Sequence, residues 1–242
     1  MARPQPDRVV EPVAQRHRIV YAKRGRLRFA SHRDFQRAFE RAVRRAGVPV
    51  AFSAGFSPHP RISYANAAPT GIASEAEYLE IGLTRAVAPD LLRSALDGAL
   101  PEGMDVLEVV EARTPDLAER LQASVWQVEL FDVTRAQVQA AVEALLAADA
   151  VEVSRMTKQG LRTFDARHAI LDLVLGEGDG YEILRLVVRH TTPAVRPDDV
   201  LQALASVGSL ALATPPRVTR LAQGPLLADA RGVGDPLAAD RV

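Results

Sequence analysis

One order of apolar patterns occurs twice along these 242 residues. In the first half, residues 18–21 and 27–29 read as a strand bent at Gly25, and residues 31–46 read as a helix. Strand patterns follow at 48–52, 61–65 and 78–83, then a helix over 89–100 and a strand over 104–110. The second half gives a strand at 125–131, a helix over 134–148, and strands at 151–155, 170–175 and 181–188. A helix over 197–207 and a strand at 217–221 close it. Strand–helix–strand–strand–helix–strand is the split βαβ pattern. The sequence therefore predicts an α+β fold: tandem ferredoxin-like domains, each an antiparallel sheet with helices on one face. The expected bounds are a flexible arm at 1–15, a first domain at 16–122, a second at 123–222 and a disordered tail at 223–242. Neither end shows apolar periodicity. Each sheet is expected to keep one face uncovered.

Local punctuation agrees with this division. Ser31 precedes the first helix with Asp34 three residues on, a capping spacing, and Gly47 stands where the helix should stop. Phe35, Ala38, Phe39, Ala42, Val43 and Ala46 fall on one arc at the helical period, so they form its buried face. Thr134 caps the third long helix, and Pro197 opens the last. Gly176-Glu-Gly-Asp-Gly180 separates two strand patterns as a hairpin turn.

The chain as a whole is neutral, with 30 Lys and Arg against 30 Asp and Glu, but the charge is segregated. Residues 1–64 hold 14 basic against 4 acidic residues, and residues 65–122 hold 4 against 11. A basic first third suits a polyanion such as RNA. Internal pairing with the acidic segment after it is the alternative. Only Lys23 and Lys158 are lysines, so the basic surface is made of guanidinium groups. With no cysteine, the chain has no disulfide, no thiolate nucleophile and no cysteine-held iron–sulfur or zinc site. No apolar run reaches the roughly 20 residues of a membrane span, and the first residues lack a signal-peptide core. A cytoplasmic location without membrane contact is the expectation.

Two first-half segments carry the candidate site. Arg33, Arg37 and Arg41 recur at i and i+4 and form a stripe, with Arg44 beside it and Arg28 just before the helix. An anion docked there relieves their mutual repulsion. A solvated face balanced by Asp34 and Glu40 is the plainer alternative. Phe52-Ser-Ala-Gly-Phe-Ser-Pro-His-Pro-Arg61 pins His59 between Pro58 and Pro60. That restriction lowers the entropy cost of placing its imidazole. Phe52 and Phe56 either anchor this loop or stack on bases, and Arg61 adds a charge. His32 and His59 are the candidates for a general base. No HExxH, cysteine pair or acidic loop supports a metal site, so none is expected. Glu75 and Glu77, with Glu80, are expected to pair with Arg61 or the helix arginines. Asp165 with Arg167 reads as a structural ion pair or helix-end contact. No phosphate-cradling loop or dinucleotide fingerprint is present.

Leu27-Arg-Phe-Ala-Ser-His-Arg-Asp34, Phe52-Ser-Ala-Gly-Phe-Ser-Pro-His-Pro-Arg61 and Gly71-Ile-Ala-Ser-Glu-Ala-Glu-Tyr78 resemble the radical-SAM-linked protein family of bacteria, a domain of unknown function. The resemblance covers roughly residues 16–222. Phe164-Asp-Ala-Arg167 and Arg196-Pro-Asp-Asp-Val200 are similar to weaker motifs of that family, with Ala166 and His168 departing from the pattern. The resemblance implies a separate radical-SAM protein as partner, which would carry the iron–sulfur cluster and S-adenosylmethionine. This chain itself would hold no cofactor. It also implies work connected with RNA. Three functions follow as expectations: an accessory module that binds RNA and presents it to the radical-SAM enzyme; a metal-independent RNA-processing or RNA-modifying enzyme using His32 or His59; and a protein-binding adaptor without nucleic acid.

Overall fold

The structure, a computed structural model, describes residues 11–158 and 160–241. The fold is α+β with antiparallel strand pairs. Its contacts divide into two units: residues 1–118 with 237–242, and residues 119–236.

The first unit runs β1 (Gln15–Lys23), α1 (His32–Arg45), β2 (Ile62–Ala65), β3 (Ala73–Leu83), α2 (Pro89–Asp97) and β4 (Val106–Glu111). Its strands lie in the order β4-β1-β3-β2. Ile19 pairs with Leu79, and Tyr64 also pairs with Leu79 from the other edge of β3. Ile19 and Tyr21 of β1 and Leu79, Ile81 and Leu83 of β3 alternate onto one face. There they pack with Phe35, Phe39 and Val43 of α1 and Leu92 and Leu96 of α2. The Tyr21 and Phe35 rings stack at 4.6 Å. Burying a side chain such as Phe39 or Leu79 stabilises by about 1.5–3 kcal/mol.

Helix α1 starts as its sequence dictates. Ser31 Oγ accepts from the Asp34 backbone N–H at 3.2 Å and donates to the Asp34 carboxylate at 2.7 Å. Its end is fixed by Gly47, whose φ of 62° is the left-handed region. There the N–H of Val48 reaches the Val43 carbonyl and that of Gly47 reaches Arg44, which satisfies the last carbonyls.

The second unit runs β5 (Ala123–Leu130), α4 (Arg135–Ala147), β6 (Glu152–Thr157), β7 (Gly160–Asp165), β8 (Ile170–Glu177), β9 (Glu182–Arg189), α5 (Pro197–Gly208) and β10 (Arg217–Gly224). A one-turn helix, α3 (Leu117–Arg120), precedes it. The strand order is β10-β5-β9-β8, with β6 and β7 forming a separate hairpin. Val138, Ala141, Val142 and Leu145 of α4 are buried, as are Val200, Ala203 and Leu204 of α5.

Several expectations need correction. Residues 27–29 are not a strand: Gly25 takes φ 55°, and residues Gly25–Phe29 form a 3-10 turn closed by Leu27 N–H to Arg24 O. Residues 48–52 make two isolated bridges, Val50 to Leu83 and Phe52 to Pro60, because Pro49 and Pro60 cannot donate to a ladder. Strand β7 was not expected. Its Arg162 and Thr163 break the apolar alternation, and pairing with β6 supplies the order instead. The tail expected to be disordered is placed: Leu237 and Asp240 are buried, and Arg241 Nε donates to Glu108 at 2.6 Å. The chain's last residues thus belong with the first unit, and Arg18, on the sheet face opposite Ile19, reaches Asp240. That face is not left bare. Of the expected arm, residues 1–10 lie outside the described residues; Ala14 already bonds to Leu83. Among the described residues, no helix is long and apolar enough to cross a membrane.

Candidate functional site

The basic residues of the first unit sort into two groups. The arginines of β1, and Arg24 just before the 3-10 turn, are neutralised internally. Arg16 and Arg18 pair with Glu80, and Arg18 also with Asp240. Arg24 donates to Glu75 at 2.8 Å and to Asp105 at 2.6 Å. The hydrogen bonds that Arg24 donates to Glu75 push its guanidinium further above its ordinary value, against some desolvation. Glu77 is buried and accepts from the Ala68 N–H at 3.1 Å. The expected pairing of Glu75, Glu77 and Glu80 with Arg61 or the helix arginines is thus replaced: Glu80 pairs across the strands with Arg16 and Arg18, Glu75 takes Arg24, and Glu77 accepts from the Ala68 backbone. Register explains this, because β3 lies beside β1 and places Glu80 opposite Arg18.

The helix arginines form the second group. Arg33, Arg37, Arg41 and Arg44 are all exposed on α1. Arg44 approaches Glu40 at 3.8 Å. Among the described residues, Arg33, Arg37 and Arg41 have no ion pair. Arg61 is exposed, while its backbone N–H bonds to Ala51. Arg28 is half-buried, with its guanidinium 4.7 Å from the Phe29 ring. An i,i+4 pair of like charges costs a helix about 0.2–0.5 kcal/mol, so α1 carries a small standing repulsion that an anion removes.

Beside this stripe the loop over residues 47–60 stands off α1. Its narrow part is closed by Ser53 N–H to the His59 carbonyl at 2.8 Å and His59 N–H to Ser53 Oγ at 3.0 Å. Gly55, at φ 118°, makes the turn between them. The loop holds its aromatics outward: Phe52 is 43% exposed and Phe56 60%. Between α1 and the loop lies a cleft of about 540 Å³, lined by Val43, Arg44, Val48, Val50, Phe52 and Pro58 among others. It adjoins a smaller one of about 230 Å³ that adds Glu40, His59 and Pro60. Val43 and Val50 look like ordinary core positions in the sequence, and only the stand-off of the loop makes them the cleft floor. Arg44, which lines both clefts, and Glu40, which lines the smaller, are visible in the sequence as an i,i+4 pair but not as lining residues.

His32 sits on the same side of α1. The Gln36 amide donates to its Nε2 at 3.0 Å, and its ring meets Tyr64 edge-on at 5.3 Å. Burial pushes the Tyr64 phenol well up, with the Glu40 charge adding to it. Neither His32 nor His59 has a carboxylate partner among the described residues, so no base–orienter pair is built around either. Among the described residues no group of three or more metal-ligating side chains occurs.

The second-half candidates make internal contacts. Asp165 accepts from the backbone N–H groups of Val151 at 2.8 Å and Arg167 at 2.9 Å, and pairs with His168. Burial alone raises its carboxyl, yet these bonds hold it below the usual range. Arg167 donates instead to the carbonyls of Ile170 and Leu146, so the expected Asp165–Arg167 contact is made by backbone, not by guanidinium. Two polar pairs escaped sequence reading. Arg155 bonds to buried Asp199. Buried Ser124 lies 2.8 Å from His190 Nε2, while His190 Nδ1–H donates to the Leu121 carbonyl at 2.6 Å. Burial pushes the His190 imidazole down.

Residues 16–197 match the family model described as "Uncharacterized protein conserved in bacteria (DUF2344)". No curated protein matches the chain in sequence. Among solved structures, the chain is similar to one in a Cbf5-Nop10-Gar1 complex at 10% identity and TM-score 0.42, over 86% of this chain and 48% of that one. It thus spans about half of that chain's length. An unknown protein from Galdieria sulphuraria is similar at 17% identity and TM-score 0.24, over 81% and 90% of the two chains. The encapsulated DyP-type peroxidase from Mycobacterium smegmatis follows at 12% and 0.22, over 92% and 94%. At these scores none of the likenesses bears on function.

Proposed function

The chain belongs to the DUF2344 family of bacterial proteins, and we propose that it is an accessory module that binds RNA through α1 and the 47–60 loop. The RNA is held for a separate radical-SAM protein to act on. The iron–sulfur cluster and S-adenosylmethionine belong to that partner, since a chain without cysteine supplies no thiolate to a cluster. Each unit is read as a split βαβ domain. The strand orders β4-β1-β3-β2 and β10-β5-β9-β8 support that reading, with the β6–β7 hairpin as an insertion.

One observation carries the RNA reading. Arg33, Arg37 and Arg41 are exposed on one helix without an ion pair among the described residues, while the arginines of β1 are consumed by carboxylates. Guanidinium groups left unpaired along a helix suit successive phosphates. The aromatic loop beside them adds surfaces on which bases stack. An enzymatic role for His32 or His59 draws no comparable support, because neither ring is held by a carboxylate among the described residues.

The test has two arms. Purified chain is mixed with labelled RNA at low salt and passed through a filter; retention is expected, and none removes the RNA role. The tagged chain is then mixed with a purified radical-SAM protein from the same genome. Co-elution that survives nuclease is expected, and separate elution removes the presenting role.

A further inference from the structure

We propose that the cleft between α1 and the 47–60 loop is a base pocket, which takes one unstacked nucleobase from a single strand of the RNA. This rests on the RNA-binding reading and names the form of RNA that the site recognises.

The cleft has the chemistry of a nucleobase in negative. Its apolar lining comes from Val48, Val50, Phe52 and Pro58, over the buried Val43. Phe52 is a large aromatic left 43% exposed in this lining, where a base can lie on its ring. Polar groups also line it: Glu11, Arg44, Ser53 and Thr84 in the larger cleft, and Glu40 and His59 in the smaller one beside it. A carboxylate and a guanidinium side by side offer acceptors and donors together, which match the mixed edge of a base better than a phosphate. The volume of about 540 Å³ falls in the range of small-ligand sites and has no room for a stacked duplex.

The arginine stripe leads into this cleft. A helix turns about 100° per residue, which sets Arg33, Arg37 and Arg44 within a sector of about 40° along one edge of α1. Arg44 is both the end of that edge and a wall of the cleft. A strand whose phosphates follow Arg33 and Arg37 therefore arrives at the opening. A base paired and stacked in a duplex cannot turn its face onto Phe52, so the pocket selects single strands.

The full chain is titrated against a 12-nucleotide RNA carrying a central 2-aminopurine, alone and annealed to its complement. Single-strand binding at least tenfold tighter than duplex binding is expected, with a change in 2-aminopurine fluorescence. Phe52→Ala should weaken single-strand binding about tenfold or more and remove the fluorescence change, whereas Phe52→Trp should keep both. Arg33→Glu with Arg37→Glu should weaken both forms of RNA. Equal affinity for the two forms, or an unchanged Phe52→Ala, overturns the base pocket and leaves the RNA reading standing. No binding of either form overturns both.

Discussion

Arg18 and Asp240, 222 residues apart in sequence, meet in the interior of the first unit. The guanidinium bonds to the carboxylate, and Asp240 also accepts from the backbone N–H groups of Arg113 at 2.9 Å and Thr114 at 3.0 Å. Both side chains are essentially out of solvent. The pair ties the chain's last residues to its first strand.

Removing one member of a buried pair leaves the other charge under-compensated, which costs about 3–5 kcal/mol; Glu80, 3.4 Å from Arg18, holds the loss toward the lower end. Asp240→Ala should lose that much in urea unfolding, whereas Arg241→Ala, which breaks a half-exposed pair with Glu108, should lose under about 1 kcal/mol. Acid adds a second readout. Burial raises the Asp240 carboxyl, but bonds from Thr114, Arg113 and Arg18 hold it at about 2. Its stabilisation is therefore complete above the ordinary carboxylate value near 4 and is lost as pH falls from there toward 2. Asp240→Asn should flatten that part of the acid unfolding curve.

Mild acid acts through histidine. Burial pushes the imidazoles of His17 and His190 down; Glu111 and Val87 oppose this at His17, and Leu121 opposes it at His190. The unfolded chain then takes up protons first as pH falls. Stability from these groups is full above about 6.5 and declines below it, by at most about 1.4 kcal/mol per pH unit per group. Thermal unfolding between pH 7 and 5 should show this slope, and His190→Gln should reduce it.

The α4–α5 packing makes a steric prediction that opposes helix propensity. A Cβ at Gly208 would sit 2.3 Å from Ala141 Cα, a backbone atom that cannot step aside. Alanine gains about 1 kcal/mol over glycine inside a helix, but overpacking costs about 1–3 kcal/mol. Gly208→Ala should therefore destabilise, and a rise in melting temperature would show that the helices separate freely.

The parts of the fold that sequence made legible are those whose signals are local. Helix α1 has an arc of apolar residues, Ser31 at one end and Gly47 at the other, and each acts within a few residues. The arginine stripe was visible for the same reason. The placed tail was not, because Asp240 works through Arg18, Arg113 and Thr114, more than a hundred residues away. The partner of Glu80 is not legible in the sequence, because strand register sets it opposite Arg18 from 62 residues away. The cleft was hidden since Val43, Val48 and Val50 read identically as core or as floor.

The unpaired arginines of α1 are the proposed seat of RNA binding. Fluorescence anisotropy with a short single-stranded RNA across a salt series tests it, comparing the chain with an Arg33→Glu, Arg37→Glu, Arg41→Glu variant whose circular dichroism matches. The prediction is a log–log salt slope near −2 to −3, about −0.7 per phosphate contact on a single strand, with at least a hundredfold loss of affinity in the variant. Equal binding by both proteins, or binding insensitive to salt, would contradict it.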